Sequence, residues 1–80
     1  MSSALPAGSC HEIDLKGVPC PLNWAKAKVR LEALLPREIL ALLVDDPRAV
    51  RDIPRAAEAE GYDVLEVEPL RFGWRLVIQK

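Results

Sequence analysis

One residue in this chain has a setting suited to nucleophilic chemistry. Cys20 stands between Pro19 and Pro21 in "GVPCPLN", directly ahead of a stretch with helical spacing. A proline suits the first helical position, because its missing N–H would be unpaired there anyway. Pro21 at that position makes Cys20 the N-cap or its neighbour, facing free amide donors and the positive end of the helix dipole. Such a setting favours the thiolate, which is the attacking species. The competing reading is a small hydrophobe packed beside a sharp turn, and position alone narrowly favours it.

Other combinations around this thiol are less promising. Cys10, His11 and Cys20 would form a metal site only with further ligands at short spacing, which are absent, so no metal is expected. If residues 11–16 form a strand, it spans roughly 17–20 Å at about 3.3 Å per residue. Cys10 and Cys20 then lie near opposite edges of the sheet, whereas a disulfide needs Cα atoms within about 7 Å.

The elements that must position Cys20 are legible from periodicity. "HEIDLKG" alternates polar with apolar and stops at Gly17, which reads as a first strand. From Pro21 to Leu35, Trp24, Ala27, Leu31, Leu34 and Leu35 recur at steps of three and four, an amphipathic helix ended by Pro36. "EILALLVDD" reads as a strand buried on both faces or nearly so. Asp46 before Pro47 has the form of an N-cap and first helical residue. Pro54 is expected to interrupt the following helix, leaving a turn at 47–51 and a helix from Asp52 to Glu60, capped by Gly61. "DVLEVEPL" and "GWRLVIQK" complete a hairpin around Arg71 to Gly73.

The order is β-α-β-α-β-β. Right-handed crossovers make the first two strands parallel and put both helices on one face of a four-stranded mixed sheet. The expected fold is therefore an α/β (α+β) two-layer sandwich. Residues 1–10 are small and polar and read as a disordered lead-in. Residues 11–80 form the one expected domain.

This topology brings Asp45 and Asp46 to the same sheet edge as Cys20. Asp46 is read as a structural cap, and Asp45 as free to position Arg51 or contact a partner. A carboxylate beside the sulfur would oppose the thiolate. Lys26, Lys28, Arg30, Arg48, Arg51 and Arg55 place positive charge along both helices, and Lys26 and Arg51 are candidates for docking acidic partners. Trp24 and Trp74 lie in apolar patterns and belong to the core.

Composition bounds the remaining possibilities. Half of the 80 residues are apolar and 29% are charged, with a formal net charge of −1. That balance describes a globular domain without general affinity for nucleic acid or anionic membrane. No apolar run approaches the roughly 20 residues of a membrane span, and no secretory signal pattern is present. A cytoplasmic protein with reduced cysteines is expected.

The landmarks Gly17, Cys20-Pro21, Pro36, Asp45-Asp46-Pro47 and Arg51-Asp52-Ile53-Pro54 occur in order across residues 12–80. In these the chain resembles the TusA/SirA-like family of small sulfur carriers. The resemblance implies the same β-α-β-α-β-β sandwich. It also implies that Cys20 carries sulfur as a persulfide, with Pro21, Asn23 and Gly17 supporting it and no separate cofactor. A cysteine desulfurase or rhodanese-like protein would load the thiol, and a downstream protein would accept the sulfur. Transfer RNA thiolation, sulfur oxidation and cofactor biosynthesis are the pathways such carriers serve. This implies a monomeric relay protein rather than a stand-alone enzyme. The family motif is usually Cys-Pro-x-Pro, and here Asn23 replaces the second proline, restoring a backbone donor and adding a side-chain amide. The alternative function is a non-catalytic interaction module with a packed, unreactive Cys20.

Overall fold

Strand β1 (Cys10–Asp14) and strand β2 (Ile39–Val44) lie side by side and run parallel, with Ile13 opposite Leu42. Between them the chain crosses over through helix α1 (Leu22–Ala33). Helix α2 (Pro47–Ala59) then leads to strands β3 (Asp63–Leu70) and β4 (Gly73–Gln79), which form an antiparallel hairpin. Strand β4 inserts beside β2, so the sheet order is β1-β2-β4-β3. The computed structural model describes residues 10–80, and positions 1–9 of the expected lead-in lie outside the described residues. Cys10, its last residue, already belongs to β1.

Alternation along the strands decides which face is covered. Leu40, Leu42 and Val44 of β2 and Leu76 and Ile78 of β4 are fully buried. They meet Ala27 and Leu31 of α1 and Ala49, Ile53 and Ala57 of α2 in one core. Burying each large aliphatic side chain contributes about 1.5–3 kcal/mol. Trp24 and Trp74 pack against this core half-buried, as their apolar setting requires.

Two boundaries differ from the expected ones. Helix α1 ends at Ala33, Leu34 turns to extended backbone, and Leu35 is 68% exposed instead of extending the apolar stripe. Helix α2 runs unbroken from Pro47 to Ala59 with Pro54 inside it. Its stripe Ala49, Ile53 and Ala57 repeats every fourth residue and is fully buried. Packing of that stripe keeps the turns on either side of Pro54 aligned despite the lost amide donor. The helix closes as expected at Gly61, which takes a φ of 89°. Gly61 N–H donates to the Glu58 carbonyl and Tyr62 N–H to that of Ala57, the paired bonds of a Schellman cap.

The β3–β4 hairpin is seated on the end of β2. Gly73 has a φ of 152°, and a Cβ there would collide with the Val44 carbonyl oxygen and come within 3.0 Å of Asp45 Cα. Replacing Gly73 by Ala should lower the unfolding free energy by about 1–3 kcal/mol in urea titration. An unchanged midpoint would show that the hairpin is not held by this close approach.

Candidate functional site

Three segments converge beyond the C-terminal ends of β1 and β2. The chain leaves β1 through Leu15 and turns at Gly17, whose φ of 84° is in the left-handed region. Val18 N–H closes this turn on the Leu15 carbonyl at 3.1 Å. Two carboxylates at the end of β2 hold the loop from Gly17 to Cys20. Gly17 N–H donates to both Asp45 oxygens at 3.0 and 3.1 Å. Cys20 N–H donates to Asp46 Oδ2 at 3.2 Å.

Asp46 performs two tasks at once. Its Oδ1 accepts from Arg48 N–H at 2.9 Å, the expected cap of α2. The Arg48 guanidinium also grips it, with Nε 3.2 Å from Oδ1 and Nη2 3.0 Å from Oδ2. These donors hold the Asp46 carboxyl well below the usual carboxylate range, the Arg48 side chain contributing most. A permanently ionised acceptor thus ties the Cys20 backbone to the start of α2. Asp45 accepts from the Gly17 backbone, while Arg51 donates to Asp52 instead.

The thiol itself is half-buried, and Cys20 and Cys10 are both free. Its Sγ lies 4.0 Å from Asp52 Oδ2 on α2. Burial raises the Cys20 pKa above the ordinary thiol value, and the charges of Asp52 and Asp46 raise it further. Arg48 and Arg51 oppose this without reversing it. The expected thiolate-favouring environment is therefore corrected. Pro21 is the N-cap of α1 and Leu22 its first residue, one position later than expected. Around the sulfur, burial and two carboxylates disfavour the thiolate.

Asn23 also behaves differently from its expected role. Its side chain is fully buried on the stripe shared with Ala27 and Leu31. Oδ1 accepts from Trp24 N–H at 2.6 Å, while Nδ2 is buried without a partner. An unpaired buried donor costs about 1–3 kcal/mol. Its backbone N–H is used as well, donating to the Pro19 carbonyl at 3.0 Å. A proline at 23 would therefore remove a bond that closes the thiol loop. Asp52, whose carboxylate lies 4.0 Å from the sulfur, is the site residue that sequence reasoning missed. Its place in the Arg51-Asp52-Ile53-Pro54 run, with Ile53 in the core, was the available signal.

The basic residues are partly engaged in ion pairs, Lys28 with Glu60 and Arg48 with Asp46. Arg51 is largely exposed, and its Nε donates to Asp52 Oδ1 at 3.1 Å. Lys26 is exposed in the second turn of α1. His11 pairs with Glu38 at 3.3 Å and lies near Cys10 at the start of β1, away from the thiol.

The family model for Sulfurtransferase TusA matches residues 11–80. The chain belongs to the TusA family. It is 39% identical over 69 residues to the "Putative sulfur carrier protein" of Archaeoglobus fulgidus, covering 85% of this chain and 78% of that one. Identity to YedF of Escherichia coli, which carries the same description, is 31% over 70 residues, or 88% and 91% of the two chains. A SirA-like protein from Desulfitobacterium hafniense superposes with a TM-score of 0.72 at 27% identity, covering 86% of this TusA-family chain and 93% of its own. That likeness extends to the mixed four-stranded sheet with its two helices. Among the described residues, no helix is long and apolar enough to cross a membrane.

The electrostatics of the thiol can be tested directly. Asp52→Asn removes a negative charge facing Sγ, so the thiol pKa should fall and the thiolate fraction at neutral pH should rise. Iodoacetamide should then modify Cys20 roughly twofold to tenfold faster at pH 7. An unchanged rate would mean that Asp52 does not act on the sulfur.

Proposed function

We propose that this protein carries sulfur as a persulfide on Cys20 and relays it between two partner proteins. The observation that carries the proposal is the half-buried free thiol on a loop pinned by Asp45 and Asp46, in a chain of the TusA family. The hydrogen bonds to these aspartates fix the backbone that leads into the thiol, and no second thiol lies beside it. Cys10 begins β1, and Cys20 follows the end of that strand.

The chemistry needs no external oxidant. In loading, the Cys20 thiolate attacks the terminal sulfur of a donor persulfide, forming a new S–S bond as the donor's S–S bond breaks. The donor leaves as a thiolate, and the oxidation level is simply handed on. In delivery, an acceptor thiolate attacks the outer sulfur and Cys20 leaves. The raised pKa keeps most of the unloaded thiol protonated at neutral pH, with Asp52 placed to receive the S–H. Arg48 and Arg51 favour the anion and sit where an approaching partner would meet the loop. Lys26 extends this positive rim along α1, and a cysteine desulfurase or rhodanese-like donor is the class of partner proposed.

A packed and unreactive Cys20 is the second reading, and its raised pKa is the observation in its favour. Loading distinguishes the two. Incubation with a cysteine desulfurase and cysteine should add about 32 Da per sulfur to the intact protein. Cys10→Ser should retain the adduct and Cys20→Ser should lose it. No adduct on wild type, or one that survives Cys20→Ser, would reject the carrier role of Cys20.

A further inference from the structure

The β3–β4 hairpin ends at the same sheet edge as the thiol. Strand β4 runs antiparallel to β2, with Trp74 opposite Val44, so residues 71–72 project beyond the end where Asp45 and Asp46 begin. Phe72 at this tip is 75% exposed, although aromatic side chains of this size are normally largely covered. Leu70 on the same hairpin and Leu22, two residues past Cys20, are also exposed. Arg71, beside Phe72, makes no ion pair among the described residues. Neighbouring strands are about 4.8 Å apart, so the hairpin end of β4 lies about 10 Å from the end of β1, across β2. One standard interface of about 800 Å² per partner spans that distance.

The tip is also mechanically connected to the thiol. Gly73 leaves no room for a Cβ between itself and the backbone of Val44 and Asp45, and the Asp45 carboxylate accepts from Gly17 in the thiol loop. A partner that grips the hairpin is therefore registered against Cys20.

We infer that Phe72 and Arg71 form a partner-reading tip that inserts into an apolar, acid-rimmed pocket on the persulfide donor protein that loads Cys20. This rests on the carrier reading above. A second copy of the chain is a poorer occupant. Of the two edge strands, the one in the hairpin, β3, carries Glu66 and Glu68, a bulge between Val64 and Glu66, and Pro69, all of which oppose its pairing with another copy.

The test compares wild type, Phe72→Ala and Phe72→Leu in sulfur transfer from a persulfide-loaded cysteine desulfurase, with inorganic polysulfide as a partner-free donor. Phe72→Ala should lower kcat/KM from the desulfurase about tenfold or more, and Phe72→Leu by less. Loading by polysulfide and the thermal midpoint should stay unchanged. Transfer from the desulfurase within twofold of wild type would overturn the proposal. So would an equal loss with polysulfide, which would place the effect in the fold. A wild-type dimer in sedimentation that Phe72→Ala dissociates would reassign the tip to self-association. If wild type takes up sulfur from neither donor, the carrier reading fails and this inference fails with it.

Discussion

The site depends on two adjacent carboxylates at the end of one strand. Asp45 and Asp46 accept hydrogen bonds from the backbone at Gly17 and Cys20, three residues apart on the loop that leaves β1. Because β1 and β2 are parallel neighbours, that loop and these acids necessarily emerge at the same edge. The second acid is simultaneously the cap of α2 and the anchor of Arg48. Sheet, loop and second helix thus share one ionic junction. Acceptors that are charged bind backbone donors more strongly than neutral ones, which suits an exposed loop with little core of its own.

This junction has an electrostatic consequence. The negative charge that pins the Cys20 backbone lies close to the Cys20 sulfur, and Asp52 adds a second negative group. Fixing the loop and stabilising a thiolate therefore pull in opposite directions. Arg48 and Arg51 moderate the conflict from the rim, where their own exposure leaves them accessible to a partner. The thiolate form of Cys20 is consequently disfavoured, which lowers the reactivity of the free thiol toward reagents in solution.

The sandwich and the placement of the thiol edge were readable because each rests on local pattern. Strand β2 is a short apolar run between charged residues, and α1 shows its stripe directly. The parallel β1–β2 pair then follows from chain handedness. The features that escaped the sequence depend on contacts between distant elements. Pro54 looked like a breaker because a local rule cannot register the fully buried Ala49, Ile53 and Ala57 that hold its helix straight. Asp52 reaches the sulfur only because α2 packs beside the start of α1. Asn23 read as a polar group near the thiol, yet it faces the core with Nδ2 unpaired. The exposure of Phe72 likewise depends on how the hairpin seats on β2, which composition does not reveal.

The central physical claim, that the paired aspartates hold the thiol loop, is most directly tested by native-state amide hydrogen exchange at Gly17 and Cys20. The Cys20 amide should be protected in the wild-type protein and lose that protection in Asp46→Ala, while core amides such as Leu42 and Leu76 remain slow. Gly17 should respond in the same way to Asp45→Ala. Exchange of both amides at the rate of an open loop in the wild-type protein would contradict the claim.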